Sequence, residues 1–172
     1  IIARAFLEPG DEAVDTEYGF LQFPQAISIT GAKPVAAKDI DFTVSVDNIL
    51  GKINKKTKII FLANANNPTG TYIPKKEVFR LHNSIPSNVI LVYDAAYCEY
   101  INNDLYIDGS ELVDKFNNVI MLRTFSKLHG LASLRLGWGY CSEYILNTLM
   151  KVRGPFSVNI AAMLAGTAAI ED

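Results

Sequence analysis

The stretch Lys58-Ile59-Ile60-Phe61-Leu62-Ala63 decides the fold. It is an uninterrupted apolar, β-branched and aromatic run, closed by the turn signal Asn66-Asn67-Pro68-Thr69-Gly70. Such a run is too short for a core helix and does not alternate, so it predicts a strand buried on both faces. Two more runs have the same character: Asn88-Val89-Ile90-Leu91-Val92-Tyr93-Asp94 and Asn118-Val119-Ile120-Met121-Leu122-Arg123. Arg135 to Cys141 predicts a fourth strand. Between the first two lies Pro74 to Ser84, which reads as a helix with proline in its first turn. Strands apolar on both faces need helices above and below them, so the pattern predicts a three-layer α/β/α fold with a mostly parallel sheet.

The flanks agree with one globular unit. Ile1 to Leu7 reads as the tail of a helix closed by Glu8-Pro9-Gly10, and Asn159 to Asp172 reads as another helix. The start has neither an initiator Met nor a signal-peptide pattern, and the chain is expected to be a piece of a longer polypeptide. Of its 172 residues, 49% are hydrophobic and 20% charged, with a net charge of −2. That composition supports a packed core and gives no basic surface for nucleic acid or anionic membrane. No apolar run approaches the roughly 20 residues of a membrane span. Cys98 and Cys141 lack metal-ligand spacing and read as reduced thiols of a cytoplasmic protein.

In open parallel sheets, ligands bind beyond the carboxyl ends of the strands. Those ends carry Asn67 after the first run, Asp94 closing the second, and Thr124-Phe125-Ser126-Lys127 after the third. Taken alone, Lys127 would be a solvated surface charge. Beside other polar groups at a strand-end crevice it becomes a candidate amine nucleophile, a role that requires the neutral amine. Asp94 reads equally as a turn carboxylate or as a buried anion holding a pyridine nitrogen protonated. Arg135, entering a buried strand, needs either a structural carboxylate or an anionic ligand such as a phosphate, with Thr124 and Ser126 adding hydroxyls. Tyr18 and Tyr97 read as half-buried aromatics. His82 and His129 have no carboxylate at triad or metal spacing and read as structural. No glycine-rich nucleotide loop and no HExxH pattern is present, which disfavours a nucleotide-binding domain.

Together these stretches resemble a known family. Asn66–Gly70, Asp94–Tyr97, Thr124–Gly139 and Val152–Asn159 are similar to the corresponding motifs of fold-type I aminotransferases (class I/II) that depend on pyridoxal 5′-phosphate. Within that family they are most similar to the histidinol-phosphate branch. The spacings also match: 27 residues from Asn67 to Asp94, 33 from Asp94 to Lys127, and eight from Lys127 to Arg135. The likeness extends to Arg4–Asp11 and Glu17–Phe23. It implies that residues 1–172 are a cofactor-binding large domain without its N-terminal part and its C-terminal small domain.

The resemblance also implies residue roles. Lys127 would carry pyridoxal 5′-phosphate as a Schiff base and then act as base and acid. Asp94 would bind the pyridinium nitrogen, and Asn67 and Tyr97 the phenolic oxygen. Thr124, Ser126 and Arg135 would hold the phosphate, and Tyr18 would stack on the ring. The implied reaction is transamination between a small-molecule amino donor, L-histidinol phosphate, and a 2-oxo acid acceptor, 2-oxoglutarate, in a homodimer that binds neither nucleic acid nor membrane. Alternatives are an aminotransferase of another amino acid, a decarboxylase of a phospho-amino acid using the same cofactor, and a non-catalytic effector module of a transcription regulator. Ala95, Ala65 and Ser133 depart from the family's usual Glu, Pro and Gly at positions outside the implied contacts. Arg153 reads as a surface or helix-end arginine in preference to a substrate or subunit-interface residue.

Overall fold

The computed structural model describes residues 1–172. The three predicted central strands are present as β3 (Thr57–Ala63), β4 (Ile90–Asp94) and β5 (Val119–Thr124), hydrogen-bonded side by side in parallel. Two further strands, β1 (Glu12–Thr16) and β2 (Lys33–Ala37), extend the sheet beyond β3, also in parallel. The fourth predicted strand is β6 (Gly137–Cys141), and it runs antiparallel to β5. The order across the sheet is β2-β1-β3-β4-β5-β6. Arg135 lies before β6 rather than inside it, in a left-handed conformation at φ 57°.

Helices cover both faces, which is why the central strands are apolar throughout. On one face Val14, Ile60, Leu62, Leu91, Tyr93 and Met121 pack against Ile49, Val78, Leu81 and Leu112. Those four come from α3 (Val46–Leu50), α4 (Lys75–Ser84) and α5 (Ser110–Lys115). On the other face Ala13, Ile59, Phe61, Val92 and Ile120 meet Ile2, Phe23, Ile27 and Ile145, from α1 (Ile2–Phe6), α2 (Gln22–Ser28) and α6 (Glu143–Val152). Ile59, Ile60 and Leu62 have no exposed surface, and each contributes about 1.5–3 kcal/mol by burial. Pro74 caps α4 from extended backbone, one residue before the helix begins. A last helix, α7 (Ile160–Glu171), starts at Asn159, whose side-chain oxygen accepts the Ala162 N–H at 2.8 Å.

The loop after β3 is held by side chains, because its backbone leaves the ladder there. Asn64 is fully buried. Its Oδ1 accepts the Ile73 N–H at 2.8 Å, and its Nδ2 donates to the Ile73 carbonyl at 3.0 Å and the Tyr93 hydroxyl at 2.9 Å. Asn66 Nδ2 donates to the Tyr18 carbonyl at 3.0 Å, tying this loop to the one after β1. That bond accounts for the first of the two adjacent asparagines.

Candidate active site

The carboxyl ends of β3, β4 and β5 open onto a cavity of about 740 Å³. Seven of the eight residues singled out in the sequence line it: Asn67, Asp94, Tyr97, Thr124, Ser126, Lys127 and Arg135. Each is placed by the end of a strand or the turn that follows. Asp94 closes β4 and Thr124 closes β5. Tyr97 immediately precedes a short 3₁₀ turn, Cys98–Tyr100.

The eighth residue, Tyr18, does not line the cavity. Its ring packs on Phe42 with centroids 5.2 Å apart. Phe20, two residues on, supplies the aromatic wall on that side. The turn between them decides this: the Gly19 N–H bonds back to the Thr16 carbonyl at 2.9 Å, and the chain reverses before Phe20.

Inside the cavity the polar groups engage one another sparingly. Asn67 Nδ2 donates to the Tyr97 hydroxyl at 3.3 Å. Lys127 Nζ lies 4.9 Å from the centroid of the Tyr97 ring, within cation–π range when charged. Asp94 Oδ1 accepts the Ala96 N–H at 3.0 Å. Burial pushes the Asp94 carboxyl above its ordinary range, and the Ala96 N–H and the nearby Lys127 charge offset part of that rise. Thr124 Oγ1 accepts the Ser126 N–H at 3.0 Å and donates to the Leu136 carbonyl at 3.4 Å. Arg135 donates one Nη1 hydrogen to the Ala132 carbonyl. The guanidinium has five N–H donors, so others are available to a ligand.

The other predicted features fall outside this site or beside it. His82 bonds Asn118 Oδ1 through Nε2 at 2.9 Å and stacks on Phe116, and His129 packs on Phe125. Cys98 and Cys141 are unpaired; burial pushes the Cys98 thiol up to about 12. Arg153 lines the cavity rim, with Nε donating to Ser157 Oγ at 2.7 Å. A cavity of about 800 Å³ opens at the opposite edge of the sheet, between Lys58, His82 and Lys115, and holds none of the strand-end residues. No helix is long and apolar enough to cross a membrane.

A lysine amine, a buried carboxylate, an amide–phenol pair and a hydroxyl–guanidinium cluster thus share one crevice. The family model for aminotransferase class I and II matches residues 1–172. The chain belongs to this family. Among curated relatives, the histidinol-phosphate aminotransferase of Rhodospirillum centenum is 47% identical over 172 residues, all of this chain and 48% of that protein. That of Maricaulis maris is 50% identical over the same span, again 48% of its length. The chain spans about half the length of the curated relatives it matches. Among solved structures, histidinol-phosphate aminotransferase from Sinorhizobium meliloti, in complex with pyridoxal-5′-phosphate, superposes with a TM-score of 0.92 at 30% identity, covering 99% of this chain and 46% of that one. Aspartate aminotransferase of Thermotoga maritima shares the fold at 22% identity, with a TM-score of 0.87 over 99% of this chain and 47% of that one.

Proposed function

We propose that the protein is a pyridoxal-phosphate-dependent aminotransferase that moves the amino group between L-histidinol phosphate and 2-oxoglutarate, as a cytoplasmic homodimer. In this reading the 172 residues form the cofactor-binding large domain. The observation that carries it is the convergence of Lys127, Asp94, Asn67, Tyr97 and Arg135 in one cavity of a chain nearly half identical, end to end, to enzymes of that name.

The donor set fits the cofactor group by group. When bound, pyridoxal phosphate supplies a carbonyl carbon that accepts the amino group and a protonated ring that delocalises the electron pair left at Cα. Everything else falls to the chain. Lys127 Nζ is the amine that would anchor the cofactor, and once released it would take the proton from the donor's Cα and hand it to the cofactor's former carbonyl carbon. Asp94, the one carboxylate lining the cavity, would hold the ring nitrogen and keep its proton in place. Tyr97 accepts from Asn67, so its own hydroxyl hydrogen is free to point at the ring's phenolic oxygen. Arg135, with the Ser126 and Thr124 hydroxyls, meets the phosphate dianion. Phe20 is better placed than Tyr18 to cover the ring face, because it lines the cavity and Tyr18 does not.

The test is a donor profile of the intact enzyme, purified with pyridoxal phosphate and assayed with 2-oxoglutarate. L-Histidinol phosphate should exceed phenylalanine and tyrosine in kcat/KM by about ten-thousandfold, the discrimination available to a site built for a polar group its competitor lacks. Equal rates with the aromatic donors would move the protein to another branch of the family. Sedimentation at micromolar concentration should give twice the chain mass.

A further inference from the structure

The ion cluster centred on Arg123, beside the cavity, has no part in the contacts just described. Arg123 and its cross-strand neighbour Trp138 are among the residues lining the cavity, but successive residues of a strand point to opposite faces, so the Arg123 side chain leaves β5 on the face opposite to that of Thr124. There the Arg123 guanidinium bonds Glu99 Oε1 at 2.7 Å and Asp108 Oδ2 at 3.4 Å. It also lies 5.6 Å from the ring of Trp138, its cross-strand partner on β6. Glu99 and Arg123 expose only 18% and 19% of their side chains.

Glu99 is the middle residue of the 3₁₀ turn that starts directly after Tyr97. That turn has little support of its own. Its bonds are Cys98 N–H to Ala95, Tyr100 N–H to Tyr97 and Ile101 N–H to Cys98, at 3.1–3.2 Å, and three-residue 3₁₀ segments are intrinsically weak. The Tyr97 hydroxyl meets Asn67 at 3.3 Å, a long bond that a small drift of the turn would break. Stability does not explain the ion pair, since apolar side chains of the same volume serve as well or better in buried positions. Arg123 Nε is also buried without an acceptor, a cost an apolar residue would avoid. What the cation adds is direction: it joins the end of β5, which carries Thr124 and leads into Lys127, to the turn that carries Tyr97.

We propose that Arg123 is a positioning residue of this site, holding the Tyr97 phenol against Asn67 and beside Lys127 by clamping Glu99 at the end of β5. The proposal rests on the reading of the cavity as a cofactor site only for its catalytic consequence.

The experiment is a double-mutant cycle on the intact enzyme reconstituted with pyridoxal phosphate. Arg123→Met should lower kcat about tenfold with little change in KM, and the same change in a Tyr97→Phe background should cost less than about twofold. Arg123→Lys, which can still reach Glu99, should recover most of the loss. Glu99→Gln takes the place of Arg123→Met in the cycle if that variant does not fold. In cofactor-free enzyme, hydrogen exchange at the Tyr100 and Ile101 amides should quicken about tenfold in Arg123→Met and return toward normal in Arg123→Lys. Equal losses in both backgrounds, or unchanged exchange at those amides, would overturn the proposal. An unsubstituted enzyme that does not transaminate, together with quickened exchange in Arg123→Met, would remove the proposed function and leave the tether standing.

Discussion

Lys127 Nζ sits over the ring of Tyr97, 4.9 Å from its centroid, and the Tyr97 hydroxyl in turn accepts from Asn67 across the gap between the ends of β4 and β3. The amine is therefore held by an aromatic face rather than by a carboxylate, an arrangement that leaves its nitrogen free to react. Lys127→Ala should abolish the visible absorbance of bound cofactor and lower turnover by about a thousandfold or more. The melting temperature of the cofactor-free protein should stay within a few degrees, since Lys127 makes no ion pair. Normal transamination by this variant would remove the lysine from the mechanism.

Asp94 is the floor of the same site. Its only side-chain hydrogen bond is the one from the Ala96 N–H, so a second oxygen remains for a ring nitrogen. Asp94→Asn keeps the shape and the Ala96 bond but loses the negative charge that, in the proposed role, would retain a proton on the ring. The variant should still bind pyridoxal phosphate through Lys127 and Arg135, with kcat reduced about a hundredfold or more. A pyridine nitrogen that needs no anionic partner would show as unaltered kcat. Burial raises the Asp94 carboxyl, so removing its charge should leave the cofactor-free protein no less stable above neutral pH.

The parts of this fold legible in the sequence are those whose environment is uniform. β3, β4 and β5 are covered on both faces, so every position is apolar and the runs stand out. β1 and β2 were not predicted for the opposite reason. β1 buries Asp15 and Thr16 among its five residues, and β2 carries Pro34 at the sheet edge, where a missing N–H is tolerated. The direction of β6 was not readable from loop length: Phe125 to Leu136 is just long enough for a parallel crossover, which is usually helical, and the structure fills it with only a short 3₁₀ turn. The grouping of the strand-end residues in one cavity was legible because strand ends converge whatever the loops do. That Phe20 and not Tyr18 lines this cavity was not legible, because it depends on how the turn at Thr16–Gly19 reverses the chain.

Gly109 is a structural requirement that the motifs do not reveal. It precedes α5 with φ 94°, and a Cβ there would lie 2.5 Å from Tyr93 Cδ1 and 2.9 Å from Met121 Cγ. Both neighbours are core residues of adjacent strands, so neither can yield cheaply. Gly109→Ala should cost about 2–4 kcal/mol in urea unfolding, combining left-handed strain with overpacking. Because Asp108 both caps this turn and meets Arg123, part of that loss should appear as faster hydrogen exchange at Ser110. A variant with wild-type stability would mean that β4 and β5 can separate here.

Asp15 makes stability depend on pH in the direction opposite to most carboxylates. It is 4% exposed in β1, and its Oδ1 has no hydrogen-bond partner. Burial raises its pKa from 3.8 to about 6, with its own backbone N–H opposing the rise. The folded state therefore holds this proton more tightly than the unfolded chain does. The carboxyl's favourable contribution is complete below 3.8 and is lost as pH climbs through 6. Asp15→Asn is neutral at every pH and escapes that loss. It should be more stable than the parent by about 1–3 kcal/mol at pH 7.5 and no more stable at pH 3.5, read from urea midpoints at the two values. An equal difference at both would place the effect in packing and leave the Asp15 charge without a role.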